Sequence, residues 1–266
     1  MIRDRKETSI VLACSRPLVA LGLRELLVYA VEYRYVDTLI VSAEDLFADL
    51  YEALGYVHYD TPDAMRVSGD LRQGRRSERR ENERAGHEAV VSYFEDCLES
   101  LELAEGESCS QLWYRIGVGL GHRAPRKGVL QAAAAQGVAV FTPDLGTSRL
   151  GRVMLGEQAR RMRFGRELGW GREVVELVEK LGEKPRLGVI RIGVGEADRL
   201  VDQALEMGPG LGYEPPSLSA SLSLGTSLGL GLGERHVAVT AEPEMTLPLL
   251  VTGLAQRFPP SYSHRP

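Results

Sequence analysis

The chain has 266 residues, 44% of them hydrophobic, enough to bury a substantial core as one large domain or two small ones. A formal net charge of -5 argues against nucleic acid as a general partner, and three scattered cysteines with no C-x-x-C pair argue against a disulfide framework. The N-terminal residues are too charged for the apolar core of a signal peptide, and no apolar run is long enough to span a bilayer; a reducing, cytoplasmic setting without membrane contact is expected.

In chain order, residues 8–14 (TSIVLAC) read as a strand and 16–34 as a helix entered near Pro17. Residues 36–41 read as a second strand, followed by a helix over 46–54 with Ser42 and Asp45 both candidate N-caps. Strand, helix, strand, helix in about fifty residues is the rhythm of a parallel sheet covered by helices. Residues 66–84 hold seven arginines among Asp, Glu, Gly and Ser, which reads as a solvated loop; a surface for an acidic partner is the alternative. Helices are expected over 88–103, 108–117 (with Trp113 in the core) and 124–136, then a strand over 137–141 and a loop over 142–151.

Residues 152–166 are arginine-rich, and 172–181 form a clear helix with Val174, Val175, Leu177, Val178 and Leu181 on one face. The organising unit follows. An apolar run at 187–192 leads into Gly193-Val194-Gly195, and Ala197, Leu200, Val201, Ala204 and Leu205 then recur at offsets of three and four. Strand, glycine turn and helix is a unit that can seat an anion, although Glu196 in the first helical turn would repel a pyrophosphate. Residues 215–233 are low in complexity, an extended loop or a glycine-rich strand. Residues 236–241 read as a further strand, 242–258 end in a helix, and 259–266 are a tail. A single domain over 1–258 is expected, a parallel-sheet Rossmann-like three-layer α/β fold. Its site lies where the strand-end loops gather: 42–45, 142–151, 193–195 and 241–245.

The ordered segments resemble deoxyhypusine synthase: 21–50 (LGLRELLVYAVEYRYVDTLIVSAEDLFADL), the run 86–98, 137–151 (GVAVFTPDLGTSRLG), 187–213 and 241–258 (AEPEMTLPLLVTGLAQRF). The resemblance implies an NAD-dependent transfer of the butylamine part of spermidine to a lysine of a translation factor precursor. It also implies a tetramer with sites between subunits.

Against the family pattern several positions are changed. The active lysine falls on Leu230, and no lysine occurs after Lys184, so no register restores that nucleophile. The His-His pair falls on Arg199-Leu200, and the Thr-Ala-Gly-Gly cofactor loop on Ser42-Ala43-Glu44-Asp45. The polyamine-holding acidic pair falls on Phe47-Ala48, with Asp49 kept. The serine-rich cofactor segment falls on 15–21, and the Asp-Gly of the third loop on Thr147-Ser148. An N-terminal extension that covers the family's site entrance is expected to be largely missing here.

The resemblance therefore implies a catalytically dead regulatory paralogue of the kind found in trypanosomatid parasites. It would pair with and activate a catalytic paralogue in a heterotetramer, with no catalytic residues of its own. NAD at a mixed interface would touch Ser42, Thr142, Thr147, Gly193, Gly195 and Glu242. The alternatives are an independent NAD-binding enzyme using Asp45, Asp144, Glu196 or Glu242, and a non-catalytic binding protein.

Overall fold

A computed structural model of the chain describes residues 6–56, 75–100, 107–121, 123–161, 172–193, 195–212, 217–224, 236–239 and 242–259. Among the described residues six strands form one parallel sheet: β1 (Thr8–Cys14), β2 (Thr38–Ile40), β3 (Ala139–Phe141), β4 (Arg186–Ile192), β5 (Ser217–Leu224) and β6 (His236–Val239). Their order across the sheet is β3-β2-β1-β4-β5-β6. The chain winds outward from β1 to β3, then returns to the middle and winds the other way. β1 and β4 form the central ladder, paired over seven residues from Thr8↔Arg186 to Cys14↔Ile192.

Strands buried on both faces need apolar side chains on both, and β1 is buried at every position. Ile10, Leu12, Cys14, Leu39, Ile190 and Ile192 meet one helical layer. It is made by α1 (Arg24–Glu32), α2 (Ala43–Ala53), α3 (Arg75–Ser100), α4 (Cys109–Leu120), α5 (Val129–Gln136), α6 (Arg149–Arg161) and α9 (Pro243–Arg257). Val11, Ala13, Ile40, Phe141, Leu187 and Val189 face the other layer, formed by α7 (Arg172–Gly182) and α8 (Glu196–Met207). The three-layer parallel fold expected from the sequence is thus present.

Several boundaries differ from the sequence reading, each for a local reason. The first helix begins at Arg24, not residue 16. Pro17 brings no N–H, the Leu18 and Val19 amides are taken by the Asp45 carboxylate, and Gly22 turns the chain at φ +76°. Residues 75–84, read as part of a solvated loop, are the first turns of α3, and 66–74 lie outside the described residues. Charge of both signs suits an exposed helix when pairs fall four apart, as Arg84 and Glu88 do at 2.8 Å. Within the stretch 215–233, read as an extended loop or a glycine-rich strand, residues 217–224 are β5, in ladder with β4 on one side and β6 on the other. Residues 225–233, including Leu230, lie outside the described residues, as do 260–266 of the expected tail.

The fifth helix starts at Val129, capped by the carboxylate of Asp49 on the Val129 amide (2.8 Å). Ser108 caps α4 in a reciprocal pair with Gln111, and Trp113 is fully buried against Phe94.

Candidate functional site

In a parallel sheet wound both ways from the middle, the crevice opens beyond the carboxyl ends of the two strands where the winding reverses. Here those are β1 and β4, and the residues above them are 15–23, Gly193 and Gly195. Gly193 has φ +78°, a conformation that favours glycine, and a Cβ there would meet the Arg16 side chain at 2.6 Å. At Gly195 a Cβ would lie 2.9 Å from that of Ser15. The glycines therefore admit the chain's own Ser15 and Arg16, not open space. Arg16 reaches on across the edge to Glu242 at the start of α9, 3.1 Å away, with Glu244 at 4.0 Å.

A second cluster lies beyond β2 and β3. Ser42 is the N-cap of α2, its Oγ accepting from the Asp45 amide at 3.1 Å. The Ala43 amide donates to Asp144 Oδ1 at 2.8 Å, and Thr147 Oγ1 donates to the Asp144 carbonyl at 3.0 Å. Glu44 in the same turn receives the Arg149 backbone amide (3.1 Å), and the Arg149 Nε lies 3.5 Å from it. The Ala43 and Asp45 amides of this helix start are thus already met by the protein's own oxygens.

Asp45 itself is 1% exposed. Its two oxygens accept the amides of Leu18 and Val19 at 3.0 Å each, which fixes the turn that carries Ser15 and Arg16. Burial pushes its carboxyl up to about 7, against the pull of those two amides. Burial likewise raises Asp144, countered by the Ala43 amide. Thr142 is buried and turned inward: its Oγ1 accepts from Trp113 Nε1 (2.9 Å) and its amide donates to Glu173 (3.0 Å), whose carboxyl burial pushes up to about 7. Asp49 is fully buried on Arg24 (2.8 Å) and on the start of α5, so it joins helices. Lys184 lies at the opposite edge of the sheet, 3.2 Å from the Thr8 carbonyl.

The expected site residues therefore fall into two groups on one edge, with Thr142 behind them. Ser42 and Thr147 share the Asp144 cluster; Gly193 and Glu242 share Arg16, and Gly195 lies against Ser15. Residues that the sequence reading did not single out as binding groups, namely Arg16, Arg149, His87 and Tyr51, supply much of this edge. Sequence spacing gave no signal for them, because they come from separate elements.

A dinucleotide places a pyrophosphate on a helix start or close against glycine backbone. Ala43 and Asp45 amides are committed here, Glu44 and Asp45 put acid beside them, and Ser15 and Arg16 cover the glycines. These residues, as arranged, do not fit that group. Among the described residues no cluster of three or more His, Cys, Asp or Glu could hold a metal, and no helix is long and apolar enough to cross a membrane.

Comparison with known proteins places this geometry in context. The family model described as deoxyhypusine synthase matches residues 1–214. A Methanosarcina acetivorans protein described as a probable deoxyhypusine synthase 2 is 25% identical over 202 residues, 74% of this chain and 57% of that one. An Archaeoglobus fulgidus protein of the same description is 22% identical over 282 residues, 97% and 92% of the two chains. The chain thus spans under two thirds of the Methanosarcina relative. A solved Entamoeba histolytica structure described as a putative deoxyhypusine synthase shares the fold with a TM-score of 0.63 at 16% identity, over 92% of this chain and 73% of that one.

Proposed function

The chain belongs to the deoxyhypusine synthase family, and on that premise we propose that it is a non-catalytic subunit that pairs with and activates a lysine-bearing paralogue. In this reading the partner carries out the NAD-dependent transfer of the spermidine butylamine group to the translation factor precursor. The present chain completes or orders a mixed interface, in the manner of the regulatory paralogues it resembles in trypanosomatids.

The observation that carries the reading is the state of the sheet edge. The groups that would face cofactor and substrate are spent on one another: Asp144 on Ala43, Asp45 on the 18–19 turn, Arg16 on Glu242. No lysine follows Lys184 in the sequence, so the imine-forming amine has no source there. The scaffold, by contrast, keeps a well-packed core.

Co-expression with the lysine-containing paralogue of the same organism tests this. The mass of the purified complex and spermidine-dependent transfer are measured for the complex and for each chain alone. A mixed oligomer much faster than the paralogue alone is expected. Failure to associate, with the paralogue fully active by itself, refutes the reading. The second reading, a binding protein for a different small molecule, has one observation in its favour: a cavity between α2 and α3.

A further inference from the structure

Helix α9 turns one apolar face to the core and another to solvent. Leu247 and Val251 pack into the core, and the Tyr35 hydroxyl donates to the Phe258 carbonyl at 2.9 Å, which ties down the end of the helix. The opposite face carries Met245, Leu249, Thr252 and Gln256, spaced four, three and four, all exposed. Leu249 at 72% and Met245 at 68% are the most exposed large apolar side chains among the described residues. A helix whose outer face meets only water places charge on such a stripe, as α8 does with Glu196, Arg199, Gln203 and Glu206. On α9 no charged residue occurs between Glu244 and Arg257.

The stripe is complementary to itself when reversed. Its start is acidic, with Glu242 and Glu244 beside Arg16, and its end carries the exposed Arg257. Its bulky residues come first and its smaller ones last. A Cβ on Gly253 would meet nothing within 4 Å, so the surface beside Thr252 is open. Two copies of α9 running antiparallel, with a two-fold axis beside residues 250–251, set each Leu249 against the other copy's Thr252 and Gly253. The same register sets Met245 against Gln256 and brings Arg257 to the acidic start. A parallel pair would instead stack Glu242 on Glu242 and Leu249 on Leu249. A lipid surface fits less well, because helices that lie on lipid are rich in Lys and Arg, and this one begins acidic.

We propose that the outer face of α9 is a docking surface for a second copy of this chain, the two helices packing antiparallel with Leu249 next to the axis. One helix pair is a small interface, so the dimer belongs to the weak, reversible class. The pairing concerns this chain alone and needs neither the paralogue nor NAD.

Sedimentation of the purified full chain, without a paralogue, over a series of micromolar to submillimolar concentrations tests it. A monomer–dimer equilibrium is expected. Leu249→Asp should weaken dimerisation about 10- to 100-fold, since two buried leucines are lost at once. Its melting curve should stay cooperative, because the side chain is exposed in the single chain. Disulfide trapping reads the orientation. Positions 245 and 256 lie about 16 Å apart along one helix, too far for a disulfide, whose Cα atoms sit about 5.5–6 Å apart. Met245→Cys mixed with Gln256→Cys should therefore give a crosslinked dimer, while neither variant crosslinks with itself. The native Cys14, Cys97 and Cys109 are buried and do not compete. A chain that stays monomeric throughout the series overturns the proposal, as does a dimer indifferent to Leu249→Asp. Absence of the mixed crosslink, or self-crosslinking of either cysteine variant, also overturns it. So does Leu249-dependent binding of the monomer to phosphatidylglycerol vesicles, which would assign the face to lipid.

Discussion

Replacing Asp45 by asparagine should produce a stability difference that reverses sign with pH. The carboxyl is buried, and its value is pushed from 3.8 up to about 7. Below about pH 4 the group is neutral in both folded and unfolded chains and costs nothing. As pH rises the unfolded chain ionises first, so folding stability is lost progressively until pH passes about 7. The interval from 3.8 to about 7, at about 1.4 kcal/mol per pH unit, amounts to about 4 kcal/mol. Asparagine removes that cost but has only one acceptor oxygen for two amides. Its N–H₂ would face either Leu18 or Val19, leaving a buried donor unpaired at a cost of about 1–3 kcal/mol.

Wild type should therefore lead by about 1–3 kcal/mol at pH 3.5, and Asp45→Asn should lead by a similar margin at pH 8.5. Glu173, also pushed up to about 7 by burial, titrates in both proteins and cancels from the difference. Urea unfolding followed by tryptophan fluorescence, with equal m-values required of the two proteins, measures it. A wild-type lead that persists undiminished at pH 8.5 would refute the argument. It would mean that the two amides hold the carboxylate ionised despite its burial.

Further outcomes follow from other contacts. Gly117→Ala should cost about 1–3 kcal/mol and lower the melting temperature, because the new Cβ would lie 2.2 Å from the Leu130 carbonyl where α4 crosses α5. Arg24→Met should cost about 3–5 kcal/mol by stranding buried Asp49, and Arg24→Met with Asp49→Leu should recover much of it in chemical denaturation. Leu230→Lys alone should give no spermidine-dependent turnover in this chain purified without a paralogue, since the altered positions around Ser42–Asp45 and Phe47–Ala48 remain; appreciable turnover in a transfer assay would overturn that.

The strands were legible in the sequence where apolar runs are uninterrupted, as at 8–14 and 187–192, because a strand buried on both faces needs little else. β5 was legible only as one of two alternatives, because Ser217–Leu224 sets serine against leucine and one alanine inside a glycine-rich setting, and its neighbours β4 and β6 decide for the strand. The start of α3 was hidden by composition: residues 75–84, rich in arginine and glutamate, read as a solvated loop. At the candidate site, Ser42 as an N-cap followed from local sequence. Asp45 did not reveal its role, because the amides it holds lie 26 and 27 residues earlier. The meaning of Gly193 and Gly195 also depends on a distant segment, Ser15 and Arg16. Local rules recover what a segment does to itself and miss what two remote segments do to each other.

The central ladder has a consequence for how the chain is made. β1 pairs with β4 over their full lengths, yet the two are separated by two thirds of the sequence. During synthesis, β2 and β3 can assemble on one side of β1 early, while its other edge stays open until residues 186–192 emerge from the ribosome. An apolar strand with an unpaired edge invites association with other nascent chains. Production of soluble protein should accordingly depend on chaperone supply and translation rate more than on the stability of the finished fold.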